Sequence, residues 1–189
     1  MPRFTTADLA AARERTIPDV IADGLQVLFC GINPGLWSAA AGHHFARPGN
    51  RFWPTLHASG FTPRVMQPAE QEALLTLGAG VTNIAARATA RADELSRDEL
   101  RDGARLLEAT VAARRPAWLA VLGVSAYRVA FDTPSAQVGP QERTLDGTRV
   151  WVLPNPSGLN AHWPPAALAE AFAGLRRAAG LPDARESRS

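Results

Sequence analysis

The sequence predicts a single-domain α/β fold around a short, buried parallel sheet. Its 189 residues suit one hydrophobic core. Apolar runs of strand length occupy residues 27–30, 118–122 and 150–153, with a weaker run at residues 80–83, and such runs are typical of buried parallel strands. Helix-length segments separate them, as the crossovers of a parallel sheet require.

Each of the main predicted helices has recognisable end signals. In chain order these are Asn50 to about residue 59, Pro68 to Gly78, the Ser96 and Glu99 capping box to Pro116, and Pro164 with Pro165 to Gly180. A polar, alanine-rich helix is expected within an N-terminal extension of about residues 1–20, and a flexible tail from about residue 182 to residue 189. The stretches 42–49, 83–95, 133–147 and 155–163 are expected to be loops.

Composition restricts the class of protein. The net charge is +2 with a pI near 9.4, and every basic residue other than histidine is arginine, which either favours nucleic acid or reflects codon usage. The single cysteine, Cys30, lies in an apolar run, so the chain can build neither a disulfide nor a cysteine-ligated metal or iron–sulfur site by itself. We expect no metal, no cofactor, no signal peptide and no membrane span, and hence a cytoplasmic protein.

A Gly-Ile-Asn-Pro-Gly motif at residues 31–35 directly follows the first predicted strand. Ligands bind outside the carboxyl ends of the strands in an open parallel sheet, so Asn33 would be a polar group fixed at the edge of a crevice. The alternative is an Asn-Pro turn in which the glycines serve only the backbone. The motif alone does not separate these interpretations.

A second motif, Leu-Pro-Asn-Pro-Ser-Gly-Leu-Asn at residues 153–160, places Leu159 on a stiff loop after another strand. An apolar side chain can be inserted between base steps, and enzymes that act on a base extrude it from the duplex first. Leu159 is therefore either such a wedge or a loop leucine that folds back onto the core.

Residues 42–53 combine aromatic rings with arginines before a helix start. Phe45 is a candidate for stacking on a flat ring. His43 and His44 suggest a metal, but further ligands at the usual spacing are missing. A solvated loop is the better interpretation of these two histidines.

Four ordered segments resemble the mismatch-specific uracil-DNA glycosylases, relatives of the thymine-DNA glycosylases. They are residues 27–36, 45–53, 80–83 and 152–159. The resemblance spans about residues 24–179 and implies a three-layer α/β/α sandwich with a short central parallel sheet. It also implies a monofunctional base-excision repair hydrolase that flips out uracil, or a related damaged or mismatched pyrimidine, chiefly opposite guanine, and leaves an abasic site. The implied partner is double-stranded DNA, and we expect a monomer in the bacterial cytosol.

The resemblance implies roles for residues around the base. Asn33 would position the attacking water, and backbone amides near Ile32 and Phe45 would bind the base while Phe45 stacks on its ring. Asn155 is assigned to base binding by the same resemblance. Ser38 either hydrogen-bonds a base edge or is an ordinary helix or loop serine.

Other residues are implied to contact the DNA strands. Gly158 and Leu159 would carry the wedge and the contacts to the guanine left without a partner. Ser157 and some of Arg47, Arg51 and Arg91, with Arg47 and Arg51 favoured, would bind phosphates, because such contacts position a protein on DNA without reading sequence. The alternative for each arginine is a surface residue without a partner. Family members often place an arginine two residues after the leucine, where this chain has Ala161, so we expect a looser preference for the mismatch.

Asp93 is a second catalytic candidate. A neutral asparagine cannot abstract a proton, and the loop that carries Asp93 leaves the strand at residues 80–83 at the same sheet edge as Asn33. A carboxylate there could act as a general base or stabilise a cationic sugar. The alternative is a solvated charge beside the helix start at Ser96.

Two other classes of protein compete with this resemblance: a different branch of the glycosylases and a non-catalytic binding module. The highly active uracil-DNA glycosylases would carry aspartate and histidine where this chain has Asn33 and Asn155, and the iron–sulfur branch needs several cysteines. A non-catalytic nucleotide-binding or DNA-damage-binding module could use the same kind of sheet. The chain, however, lacks a glycine-rich phosphate-binding signature.

Overall fold

The computed structural model describes residues 3–186 as a mixed α/β fold. Its strands are Val27–Gly31 (β1), Ala79–Asn83 (β2), Trp118–Leu122 (β3), Gly139–Leu145 (β4) and Thr148–Leu153 (β5). Its α-helices are Thr6–Ala11 (α1), Leu36–Ala41 (α2), Phe52–Ala58 (α3), Arg97–Arg114 (α4), Val124–Ala130 (α5) and Pro165–Ala178 (α6). A 3₁₀ helix, Pro68–Leu77, takes the place of the helix predicted after Pro68.

The strands form one sheet in the order β2-β1-β3-β5-β4. Strands β2, β1, β3 and β5 are parallel, which confirms the predicted parallel sheet, and β4 runs antiparallel to β5 at the edge. The prediction of a loop over residues 133–147 was wrong for β4. The reason is that β4 is an edge strand with mostly polar, partly exposed residues, so it lacks the apolar run of a buried strand.

Helices cover both faces of the sheet because successive side chains of each strand point to opposite sides. In β1, Leu28 and Cys30 join the cluster that contains residues of α4 and α5. Val27 and Phe29 join the cluster that contains residues of α3 and α6. Burial, with a smaller contribution from the Asp19 carboxylate, raises the pKa of the Cys30 thiol well above its ordinary value, in keeping with the predicted structural cysteine.

Two helix starts show which local signals determine the helix boundaries. Ser96 and Glu99 form the predicted capping box of α4, with Ser96 Oγ accepting from Glu99 N at 3.1 Å and the Glu99 carboxylate accepting from Ser96 N at 2.8 Å. Helix α3 begins at Phe52, whose backbone N–H donates to Asn50 Oδ1 at 2.9 Å. The short helices α2 and α5 lack a side-chain cap and were not predicted.

The two ends of the described chain pack onto the domain. Ala12 is fully buried in a small cluster with Ala39 and Ala88. The expected flexible tail begins with a segment that makes specific contacts: Ala184 N donates to Gly60 O at 2.8 Å, and Asp183 pairs with Arg185 at 2.5 Å. Residues 1–2 and 187–189 lie outside the described residues. Across residues 3–186, no helix is long and apolar enough to cross a membrane.

Candidate active site

A cavity of about 140 Å³ opens at the carboxyl edge of the parallel strands, where β1, β2, β3 and β5 each contribute a residue at or just after their ends. This is less than the roughly 300–1,000 Å³ of a drug-sized ligand site, so the cavity suits a single small ring. Its polar lining consists of Asn33, Asn50, Asn83, Asn155, Ser38, Ser157, His44 and Arg47. In the described part of the chain, no carboxylate lines it, and Arg47 is its one permanently charged residue.

The floor of the cavity is formed by residues 31–35. A Cβ atom on Gly31 would lie 2.4 Å from Asn83 Oδ1 and 3.2 Å from the Phe45 ring, so only glycine fits. The floor also hydrogen-bonds to the loop after β2, because the backbone N–H groups of residues 84, 85 and 89 donate to the carbonyl groups of residues 31, 32 and 34. The motif is thus held against the loop after β2 by three backbone hydrogen bonds.

The amide of Asn33 is fixed by two hydrogen bonds. Its Nδ2 donates to Arg87 O at 2.8 Å and to Thr89 Oγ1 at 2.7 Å, while Thr89 Oγ1 donates to Arg91 O at 2.7 Å. Both amide hydrogens are engaged, so Oδ1 is the group left for a ligand, and it receives no hydrogen bond from residues 3–186. An oxygen acceptor fixed in this way can hold a water molecule but cannot take its proton.

Phe45 forms an aromatic wall of the cavity. It is a non-glycine residue with φ 55°, a backbone conformation that is uncommon for bulky side chains. Ser38 on α2 supports this turn, because its Oγ accepts from Ala46 N at 3.0 Å. The Phe45 ring stacks on Phe52 with a centroid distance of 4.1 Å and an interplanar angle of 27°. Ser38 therefore holds the turn and also borders the cavity.

His44 is buried at 1% exposure, so the prediction of a solvated loop was wrong for this residue. Its Nε2 lies 3.0 Å from Pro18 O, which can only accept, so Nε2 carries the proton. Burial lowers the pKa of His44, whereas the hydrogen bond to Pro18 and the carboxylates of Asp19 and Glu72 act in the opposite direction. The neutral ring suits this environment, because a protonated ring would need a second acceptor.

Asn83 is a site residue that the sequence analysis did not single out. Its Nδ2 lies 3.3 Å from His44 Nδ1, which is the acceptor in the tautomer set by Pro18. The amide of Asn83 is therefore oriented with Nδ2 toward His44 and Oδ1 toward Gly31. One signal was available, since Asn83 ends a predicted strand next to β1 and polar residues at strand ends meet at one sheet edge.

The loop after β5 forms the opposite rim. Asn155 Oδ1 accepts from Ser157 N at 2.9 Å, and Ser157 Oγ accepts from Leu159 N at 3.3 Å. The Nδ2 group of Asn155 meets no acceptor within residues 3–186, so it is available as a donor at the cavity. Leu159 is 78% exposed, so it does not fold back onto the core.

The arginines at the rim have different surroundings. Arg47 is exposed, borders the cavity and has no ion-pair partner within the described residues. The Arg51 guanidinium instead donates to three backbone carbonyl groups of the loop after β5, those of Ser157, Asn160 and Trp163. Of these two arginines, Arg47 is thus the one that is unpaired at the rim among the described residues.

Asp93 does not line the cavity. Its carboxylate lies 2.5 Å from an Arg91 nitrogen, and its side chain is 63% exposed. The preceding residue, Ala92, does border the cavity, so Asp93 is adjacent to the wall but directed to a surface ion pair.

Fold and cavity together define an α/β protein with a small polar cavity at the carboxyl edge of its sheet. The family model of the uracil DNA glycosylase superfamily matches residues 18–176. This chain belongs to that superfamily, whose members are DNA glycosylases, hydrolases that act on DNA. The solution NMR structure of a putative uracil DNA glycosylase from Methanosarcina acetivorans has the same fold, with a TM-score of 0.59 and 20% identity over 87% of this chain and 97% of that one.

Proposed function

We propose that the protein is a mismatch-specific, monofunctional uracil-DNA glycosylase that hydrolyses the bond between deoxyribose and uracil, or a related pyrimidine, chiefly opposite guanine. The observation that carries the proposal is a cavity lined by asparagine amides and an aromatic ring and free of carboxylates among the described residues. The departing base takes up negative charge, which fixed hydrogen-bond donors stabilise and a carboxylate would repel.

Asn33 is proposed to position the attacking water. The water oxygen bonds to C1′ of the sugar as the C1′–N bond breaks, the electron pair of that bond leaves with the base, and one proton of the water is released. Because both hydrogens of the Asn33 amide are engaged by Arg87 and Thr89, its oxygen is aligned in advance. Alignment of this kind lowers the barrier without proton transfer to Asn33.

The base is proposed to stack on Phe45 and to be read by amide groups on either side. Asn83 Oδ1 suits an N–H donor such as N3–H of uracil, and Nδ2 of Asn155 suits a carbonyl oxygen. Backbone amides near Ile32 and Phe45 and the hydroxyl of Ser38 complete the set of base contacts. The enzyme would need neither metal nor cofactor.

Duplex DNA is proposed to bind along the rim as the nucleotide is flipped into the cavity. Leu159 would fill the space that the base leaves, with Gly158 beside the unpaired guanine, and Arg47 and Ser157 would contact phosphates. The Ala161 side chain is a methyl group that cannot hydrogen-bond that guanine, so the preference for a guanine partner would be loose. The enzyme would act as a monomer in the bacterial cytosol.

The test is base release from a labelled duplex that contains one G·U pair, followed by alkaline cleavage at the abasic site. We expect wild-type protein to cleave G·U and A·U duplexes and Asn33→Ala to be slower by about 10²-fold while it binds the same DNA. Tight binding by wild type without cleavage would favour a non-catalytic DNA-damage-binding module instead.

Asp93 enters the proposal as the group that receives the proton or stabilises the sugar cation. The position of Asp93 beside Ala92, which borders the cavity, supports this role. The Asp93 carboxylate would first have to separate from Arg91. Asp93→Asn should lower the single-turnover rate by about tenfold or more. Asp98→Asn, a change at another exposed carboxylate paired with an arginine, is the control. Equal rates for wild type and both variants would remove Asp93 from the mechanism.

A further inference from the structure

The loop that carries Leu159 is joined to the segment before α3 by a concentrated set of contacts. We define the wedge loop as residues 156–163 and the rim turn as residues 47–51. Arg51 N donates to Pro156 O at 3.0 Å. The Arg51 guanidinium donates to Trp163 O at 2.6 Å, to Ser157 O at 2.8 Å and to Asn160 O at 2.9 Å.

The residues that accept these hydrogen bonds lie on both sides of Leu159 in the sequence. Ser157 and Asn160 flank it, and Trp163 ends the loop, so one side chain fixes the backbone on both sides of the exposed leucine. A guanidinium presents its donors in a rigid planar fork, which suits three acceptors at set positions. Since Nη1 and Nη2 already bind protein carbonyl groups and Nε is buried with no acceptor among the described residues, Arg51 is poorly placed to bind a phosphate.

A second close contact joins the wedge loop to the rim turn. A Cβ atom on Gly158 would lie 2.4 Å from Gly49 O, so the backbones approach too closely for any side chain at residue 158. Leu159 N also donates to Ser157 Oγ at 3.3 Å. The wedge loop is thus set by contacts made in the free protein, although its leucine touches little of the protein surface.

We propose that Arg51 is a positioning residue that presets the wedge loop for insertion of Leu159 into the duplex. This inference rests on the proposed function, since it assigns a role within base flipping. An ordered loop loses its conformational entropy on folding rather than on binding DNA, and such preorganisation favours the bound complex. Arg51 therefore acts through Leu159 and not through a phosphate.

The experiment is a double-mutant cycle on a duplex that contains one G·U pair. Single-turnover kcat/KM is measured for wild type, Arg51→Gln, Leu159→Ala and the double variant, with 2-aminopurine beside the uracil to report flipping. We expect Arg51→Gln to lower kcat/KM by about 10- to 100-fold when Leu159 is present and by less than about threefold when it is absent. The flipping signal should fall with the rate.

The matched control is Arg47→Gln, which removes a free arginine from the same rim. Arg47→Gln should lower kcat/KM by the same factor whether residue 159 is leucine or alanine, because phosphate binding does not depend on the leucine. Arg51→Gln with equal effects in both backgrounds, or with no effect, would overturn the inference while leaving the glycosylase proposal intact. A wild-type protein that releases no base overturns the proposed function, and this inference with it.

Circular dichroism and thermal unfolding separate loop positioning from loss of the fold. If Arg51→Gln does not fold, the cycle is run with Arg51→Lys, which keeps the charge but cannot reach three carbonyl groups with one planar fork. A lysine variant that matches wild type in rate and flipping would also overturn the inference.

Discussion

The orientation of one amide depends on a histidine that is kept neutral. Pro18 O fixes the proton of His44 on Nε2, so Nδ1 accepts from Asn83 and leaves Asn83 Oδ1 at the cavity. If His44 gained a second proton, Nδ1 would become a donor and would face another donor. The Asn83 amide would then rotate or separate from His44, and the proposed acceptor for a base N–H would be lost.

We therefore predict that base release falls at acidic pH. Burial lowers the pKa of His44, so the site stays competent through the ordinary histidine pKa of about 6.5 and fails only below it. The pH profile of kcat/KM for wild type should show this acidic limb, and His44→Gln should be slower but lack it. Asp19, Glu72 and His43 also act on the charge of His44, and all three are present in both proteins, so the acidic limb that only wild type shows is assigned to His44.

The free energy of unfolding should also depend on the protonation of His44. The unfolded chain binds that proton more readily than the folded one, so the contribution of neutral His44 is complete above about pH 6.5 and decreases as the pH falls from there toward its lower folded pKa. Urea midpoints between pH 7 and pH 5 should fall more steeply for wild type than for His44→Gln. Parallel curves would show that His44 does not couple to folding.

A further prediction concerns Asn33→Asp. The position of Nδ2 is 2.8 Å from Arg87 O, so a carboxylate oxygen there would face a carbonyl oxygen. We expect a loss of stability of about 1 kcal/mol in urea unfolding at neutral pH, and a smaller loss at a pH low enough to protonate the carboxyl group. An aspartate variant as stable as wild type at both pH values would mean that the side chain turns away from Arg87.

At the scale of elements, two helical glycines should respond oppositely to alanine. In α4, a Cβ atom on Gly103 would lie 2.2 Å from Ile84 O, whereas on Gly174 in α6 the nearest atom is a Trp151 ring carbon at 3.6 Å. Gly174→Ala should stabilise the protein by about 0.5–1 kcal/mol, and Gly103→Ala should destabilise it by about 1–3 kcal/mol. Denaturant unfolding of both variants checks the pair, and stabilisation by both would contradict the close approach of α4 to residue 84.

The elements that the sequence predicted are those with strong local signals. The buried strands and the Ser96 cap were found because apolar runs and a capping box are contained in a few residues. Strand β4 was missed because pairing with β5, and not its own composition, makes it a strand. The same holds for the cavity. The place of Asn33 in its lining could be predicted from a local motif, whereas the partners of Arg51 lie more than 100 residues away in sequence.

At the scale of the whole molecule, the net charge of +2 is a poor guide to DNA binding. Many of the surface arginines are paired with carboxylates, so their charge is locally balanced: Arg13, Arg64, Arg87, Arg91, Arg101, Arg105, Arg114, Arg143, Arg177 and Arg185. The rim of the cavity differs because Arg47 is unpaired among the described residues and no carboxylate lines the cavity there. The positive field that DNA meets should thus be local to the site.

Arg47→Gln is accordingly predicted to weaken DNA binding and its salt dependence together. Each phosphate neutralised by a cation contributes about −0.9 to the slope of log K against log salt concentration, so loss of one contact should make the slope shallower by about that amount. Arg105→Gln on α4, which removes a charge already paired with Asp102 and outside the cavity lining, should leave the slope unchanged. Fluorescence anisotropy of a labelled duplex over a salt series measures both slopes. If the two variants shift the slope equally, DNA binding depends on the net charge of the protein and not on a specific contact at the rim of the cavity.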